Sequence, residues 1–242
     1  MSSAERVVRI VGDVVHRPAK PWTPTVQRLL RHLHDRGLPV PEPLGHDGEH
    51  EYVGLVPGEA GADEGADRIG PAGVRSAGEL LRRVHDATVG WRPPPDAVWS
   101  VPHRGGPVIC HGDPKPANLA WQDGRAVGLF DFDAARPGER IDDVAYALKW
   151  FPPFEVDPDA LRLGFAEPAE RHARIEAFLT GYGWAGSLDV RAAVLRRREQ
   201  AIDEVVRLGE RGDQPQATWL AEGRPDRWRA GLAALRTLRL PG

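Results

Sequence analysis

Apolar residues along the chain follow two regimes. Short clustered runs fill the first sixty residues, and a spacing of three to four dominates most of the remainder. Val7 to Val11 and Val14 to Arg17 are rich in β-branched residues and flank Gly12-Asp13, which predicts a β-hairpin. Thr23 as N-cap and Pro24 at the first helical position open a helix, with Val26, Leu29, Leu30 and Leu33 on one face. Gly37 ends it, and Pro39, Pro41 and Pro43 hold the following chain extended. Tyr52 to Val56 reads as another strand stopped by Pro57-Gly58, and the Gly/Ala/Asp-rich stretch Glu59 to Gly70 as a hinge.

Beyond the hinge the pattern turns helical. Ala77 to Ala87 carries Leu80, Leu81 and Val84 at helical spacing, and a proline-rich loop covers Trp91 to Gly106. Three short strands follow, Val108 to Cys110, Leu119 to Trp121 and Ala126 to Phe130, the last two joined by Asp123-Gly124. Helices are expected over Asp142 to Trp150, Pro168 to Tyr182, Leu188 to Leu208 and Pro225 to Leu238. The expected organisation is α+β: a small strand-rich lobe over 1–58 with one helix, a hinge over 59–70, and a mainly helical lobe over 71–242.

Composition narrows the partners. A net charge of −3 over 242 residues leaves no electrostatic footprint for nucleic acid or an anionic membrane. The single cysteine, Cys110, excludes a disulfide framework and a cysteine-rich zinc module, and reads as a small core residue. No apolar run approaches the roughly 20 residues that cross a bilayer, and the charged opening MSSAERVVRI has no signal-peptide core, so a cytoplasmic protein is expected. The only lysines are Lys20, Lys115 and Lys149, which limits lysine-dependent chemistry to three positions.

Residues 111 to 133, HGDPKPANLAWQDGRAVGLFDFD, concentrate His111, Asp113, Lys115, Asn118, Asp131 and Asp133 around two apolar runs. A loop presenting Asp113 and returning through Asn118, followed by a hairpin that ends at Asp131, brings three oxygen-bearing side chains to one mouth. Phosphoryl transfer needs such a set: a carboxylate to orient the attacking hydroxyl, and hard oxygen ligands for Mg²⁺.

HGDPKPAN resembles the H-G-D-x-x-x-x-N catalytic loop of the aminoglycoside phosphotransferase family, which has a bilobal protein-kinase-like fold, and LFDFD resembles that family's I-D-[WF]-[DE]. ERIDDVAYAL resembles the following helix, PGEAG the lobe junction, and GELLRRVHDA the first long helix of the large lobe. VVHRPAKPWTPTVQRLLRHL and PPPDAVW further resemble an actinobacterial subgroup described as similar to trifolitoxin immunity proteins. The resemblance implies ATP and Mg²⁺ as cofactors and a small hydroxyl-bearing molecule, antibiotic or metabolite, as acceptor. It implies Asp113 as catalytic base, Lys115 on the γ-phosphate, Asn118 and Asp131 on the metal with Asp133 beside them, and His111 and Asp143 as structural supports. A polar turn region would also use Asp and Asn, but Asn118 is the chain's only asparagine and stands where the motif requires one.

The phosphate-holding half is abbreviated. The hairpin turn Gly12-Asp13 is not a glycine-rich loop, and the lysine position falls to Arg17 or Lys20. The helix offers no glutamate to brace that cation, leaving Gln27 or His34. The alternative function is therefore a kinase-fold binding or immunity protein that sequesters a ligand without turnover. His85 is expected to be a satisfied buried histidine, the arginine-rich run 191–198 a solvated helix face, and the tryptophans packing residues. Glu155, Asp157, Asp159, Glu167, Glu170, Asp203 and Glu204 are the acids available to a pocket for a polycation.

Overall fold

In the computed structural model, residues 8–61, 69–152 and 168–237 are described. β1 (Arg9–Val11) and β2 (Val14–Pro18) form the expected hairpin; Val7 lies outside the described residues. β2 pairs antiparallel with β4 (His50–Gly54), which in turn pairs with β3 (Pro43–His46), giving the strand order β1-β2-β4-β3. The proline-held stretch after the first helix is thus partly a strand, and the strand expected over Tyr52 to Val56 starts and ends two residues earlier.

Helix α1 (Thr23–His34) crosses this sheet and drives Val26, Leu29, Leu30 and Leu33 into the interior. Trp22, not Thr23, occupies its N-cap position; the Thr23 hydroxyl is buried and directed at Glu51 3.4 Å away. At the other end Gly37 adopts φ +70°, and its N–H and that of Leu38 close the last turn on His34 and Leu33.

The expected hinge begins as β5 (Glu59–Ala60), paired with β7 (Leu119–Gln122), while residues 62–68 of it lie outside the described residues. α2 (Pro71–Thr88) then runs against α4 (Pro168–Tyr182) at backbone contact distance, since a Cβ on Gly181 would fall 2.1 Å from the Arg75 carbonyl oxygen. β7 and β8 (Arg125–Leu129) form the second hairpin, and β6 (Val108–Cys110) pairs with β9 (Arg136–Gly138), a strand the apolar pattern does not announce. α3 (Arg140–Trp150), α5 (Val190–Glu210), α6 (Gln216–Ala221) and α7 (Arg224–Thr237) complete the described helices. One hydrophobic core joins α1 to α2, α3, α4 and the strands around residues 109–132. The small sheet is therefore fixed to the large lobe through α1.

Candidate active site

The loop leaving β6 is held from beneath by α3. Asp143, in the first turn of that helix and fully buried, accepts the N–H of His111 at 2.6 Å, that of Gly112 at 2.9 Å and His85 Nε2 at 3.1 Å. Burial alone would push its carboxyl up; the hydrogen bond and charge of His85, then His111 and the Gly112 N–H, reverse this and hold it at about 2. His85 in turn meets the Tyr182 hydroxyl through Nδ1 at 2.7 Å, so both ring nitrogens of this buried histidine are satisfied, as expected. His85, Asp143 and Cys110 have the spacing of a metal cluster, but the hydrogen bonds make the first two a brace. Cys110 donates to the Glu139 carbonyl, and burial pushes its thiol well up.

Gly112 makes the loop possible. Its φ is +86°, and a Cβ there would meet the Ala134 carbonyl oxygen at 2.2 Å. The loop's remaining bonds join it to the second hairpin. His111 Nε2 pairs with the Phe130 carbonyl at 2.8 Å and its Nδ1 accepts the Asp113 N–H at 3.2 Å, which puts the ring proton on Nε2. Asn118 Nδ2 donates to the Asp113 carbonyl at 2.9 Å and to its carboxylate at 3.0 Å. With Nδ2 committed, Oδ1 is the Asn118 atom left for a cation.

Asp131 follows β8 in the left-handed region, φ 63° and ψ 60°, a conformation seldom adopted by a residue with a side chain. Its carboxylate is 42% exposed and receives Arg17 Nη1 at 3.3 Å. Arg17 reaches across from β2, placing Nη2 2.9 Å from Asp133 and Nε 2.8 Å from Glu51. Burial works against the Arg17 charge, but Asp133, Glu51 and Asp131 outweigh it, so the guanidinium stays charged. Asp131, Asp133 and the Asn118 carbonyl are hard oxygen donors on adjacent turns, a set that fits Mg²⁺.

Two cavities meet here. One, of about 330 Å³, opens between the small sheet and the large lobe and is lined by Arg17, Lys20, Val53, Val56, Asp131 and Asp133. The other, of about 490 Å³, lies against Asp113 and Lys115 and also reaches Lys20 and Asp133. The structure thus gathers Arg17, Lys20, Asp113, Lys115, Asp131 and Asp133 along one cleft, with Asn118 hydrogen-bonded behind Asp113 and with His111 and Asp143 in its floor.

Two residues depart from the sequence expectations. The carboxylate beside Arg17 comes from neither Gln27 nor His34 but from Glu51 on β4, 1% exposed, and Gln27 donates to that same carboxylate at 2.9 Å. The signal was alternation: Glu51 and Val53 share a strand face, and Val53 is buried, so Glu51 is a charge on the inner side. Arg197 corrects the reading of run 191–198 as a solvated face. It is 2% exposed, lies 4.7 Å over the Tyr146 ring and donates to the Gly112 carbonyl at 3.1 Å. Its position, three and four residues after Val194 and Ala193, is on the apolar stripe of α5. Among the acids available for a cationic pocket, Glu155, Asp157, Asp159 and Glu167 lie outside the described residues, and Glu170 and Asp203 are paired with Arg174 and Arg229.

The model of the "Phosphotransferase enzyme family" matches residues 3–99 and 96–188. A trifolitoxin immunity protein of Rhizobium leguminosarum bv. trifolii is 32% identical over 185 residues, which cover 71% of this chain and 68% of that protein. Among solved structures, a macrolide 2'-phosphotransferase of Brachybacterium faecium is 18% identical with TM-score 0.54 over 93% of this chain and 84% of its own. An amicoumacin kinase in complex with AMP-PNP, Ca²⁺ and Ami is 13% identical with TM-score 0.61 over 95% and 88%. A choline/ethanolamine kinase family protein of Mesorhizobium loti is 17% identical with TM-score 0.59 over 96% and 89%. These likenesses establish the expected kinase-like fold.

Proposed function

The chain belongs to the phosphotransferase enzyme family, and on that premise we propose that it transfers the γ-phosphoryl group of ATP to a hydroxyl of a small molecule, an antibiotic or a metabolite, in the cytoplasm. The observation that carries this reading is that Asp113, with Asn118 hydrogen-bonded to it, and Asp131 line two cavities that share Lys20 and Asp133. Asp113 accepts the proton of the acceptor hydroxyl, whose oxygen bonds to the γ-phosphorus as the bond to the β–γ bridging oxygen breaks and ADP departs. Asn118, Asp131 and Asp133 would hold Mg²⁺, which would supply positive charge to offset that of the phosphates. Arg17 and Lys20 bind phosphate oxygens from the small-lobe side, and Lys115 does so from the loop. His111 and Asp143 keep the loop in place.

A second reading has a specific observation behind it. The curated relative is named an immunity protein, and Arg17 is engaged by three carboxylates. In that reading the cleft sequesters a ligand without turnover. Thermal melting with millimolar ATP, with and without Mg²⁺, separates the two. A nucleotide at about 100 times its Kd stabilises by about 2.7 kcal/mol, or roughly 5–10 °C for a chain of this size. Absence of a Mg²⁺-dependent shift overturns the enzyme reading. Asp131→Ala is expected to lose that shift, and Asp113→Ala to keep it while losing transfer; full activity in both variants refutes the site assignment.

A further inference from the structure

Two segments of the candidate site are each held at a backbone carbonyl by a buried arginine, and the two arginines share one carboxylate. Arg197, on α5, donates through Nη2 to the Gly112 carbonyl at 3.1 Å, in the loop that presents Asp113. Arg136, the first residue of β9, donates through Nη1 to the Ala134 carbonyl at 3.0 Å, in the turn that follows Asp131 and Asp133. Glu204 stands on α5 seven residues after Arg197 and engages both. Its Oε1 accepts Arg136 Nη2 at 2.7 Å and its Oε2 accepts Arg197 Nη2 at 3.2 Å. Each carboxylate oxygen therefore serves one segment of the site.

Both guanidiniums depend on that carboxylate. Arg136 and Arg197 are buried, and among the described residues Glu204 is the carboxylate ion-paired with each of them. Arg197 Nε and Nη1 are buried without a hydrogen-bond partner among the described residues, so Nη2 alone ties this side chain to Gly112 and Glu204 by hydrogen bonds. A buried charge left without its partner is costly, so the position of each arginine follows from the Glu204 charge. The two segments also touch directly. A Cβ on Gly112 would fall 2.2 Å from the Ala134 carbonyl oxygen, and Cys110 pairs with Arg136 across β6 and β9. Those contacts fix loop and turn to each other, but neither reaches α5. That helix lines the cavity against Asp113 with Ala201, Ile202, Val205 and Leu208. Glu204 and its two arginines thus tie loop and turn to the wall of the cavity that Asp113 faces.

We propose that Glu204 is a positioning residue: through Arg197 and Arg136 it sets the loop bearing Asp113 and the turn bearing Asp131 and Asp133 at one common position against α5. Its part in catalysis rests on the phosphotransferase reading; the coupling of the two segments does not. Hydrogen exchange of the full chain, read by mass spectrometry without nucleotide, tests the coupling. Glu204→Gln keeps the side chain's shape and removes its charge. It is expected to speed exchange by about threefold or more in both 108–118 and 130–138, with α2 and α4 unchanged. Arg197→Met is expected to act more on 108–118 and Arg136→Met more on 130–138. Each of these keeps Glu204 and one partner, so the pair carries the test even where Glu204→Gln does not fold. Faster exchange throughout the chain, a response of one segment only to Glu204→Gln, no response, or arginine variants that fail to separate the segments overturns the proposal. Calorimetry then addresses the reaction: Glu204→Gln is expected to bind Mg²⁺-ATP about tenfold more weakly and metal-free ATP equally. Mg²⁺-ATP binding that is equal in wild type and Glu204→Gln overturns the positioning role. The expected exchange pattern in a wild type that binds no Mg²⁺-ATP leaves the coupling standing and removes the phosphotransferase reading.

Discussion

Asp143→Asn isolates the brace beneath the loop from the chemistry above it. The wild-type carboxylate accepts three hydrogen bonds, at 2.6, 2.9 and 3.1 Å, from His111 N, Gly112 N and His85 Nε2, in a fully buried setting. An amide of the same shape keeps one acceptor oxygen, while its NH₂ must face a donor. Hydrogen bonds to a charged group contribute about 1.5–3 kcal/mol each, and removing one partner of a buried charged pair costs about 3–5 kcal/mol. The expected loss is therefore about 3–5 kcal/mol, or roughly 10 °C in Tm. The substitution also removes a pH dependence. The folded carboxyl sits at about 2 against an ordinary value of 3.8, so it contributes roughly 2–3 kcal/mol. A depressed carboxyl contributes fully above its unfolded value and progressively less as pH falls through its folded value. Wild type should thus lose stability relative to Asp143→Asn as pH drops from 4 towards 2. Urea unfolding followed by circular dichroism at pH 7 and across the acid range measures both effects. A variant within about 1 kcal/mol of wild type at pH 7, with a parallel acid profile, refutes the brace.

The same approach extends to the small lobe and the helix pair. Glu51→Gln removes the charged partner of Arg17 Nε and of Gln27, with an expected cost of about 2–4 kcal/mol by thermal melting and a weakened Mg²⁺-ATP shift. Arg17→Ala is expected to reduce ATP affinity more than Lys20→Ala, measured calorimetrically, because Arg17 alone spans Glu51, Asp131 and Asp133; the reverse order moves the phosphate grip to Lys20. Gly181→Ala forces a Cβ into the Arg75 carbonyl, which should cost about 1–3 kcal/mol in urea unfolding and leave the nucleotide shift intact.

What could be read from the chain followed sequence distance. The loop from His111 to Asn118, the hairpin after it and Asp131 are close in sequence, so turn chemistry and short apolar runs announce them. α1 and α2 were visible because a 3.6-residue stripe needs no knowledge of what it packs against. β3 and β9 were not, because PLGH and RPG contain no β-branched residue and become strands only through pairing with β4 and β6. Arg17 was visible as a cation, but its partner was not, since register rather than spacing brings Glu51 opposite it across 34 positions. Arg197 was hidden for another reason: charge in a run of arginines reads as solvent exposure, and only its place on the Val194 stripe distinguished it.

The Arg17–Glu51 register also explains how an abbreviated small lobe holds a cation fixed at the cleft. In protein kinases a small-lobe lysine is held by a glutamate on a helix, and movement of that helix makes or breaks the pair. Here the two residues stand directly opposite each other on adjacent antiparallel strands, so the pair forms whenever β2 and β4 do. The helix contributes Gln27 and Thr23, which donate to the Glu51 carboxylate, and these bonds would draw α1 towards the sheet rather than away from it. α1 is additionally held by Val26, Leu29, Leu30 and Leu33, each at most 2% exposed. Swinging it outward would expose four large side chains, at about 1.5–3 kcal/mol each, a cost comparable to the whole stability of a typical domain. An outward swing of α1 is therefore opposed both by this burial and by the bonds that Thr23 and Gln27 make to Glu51.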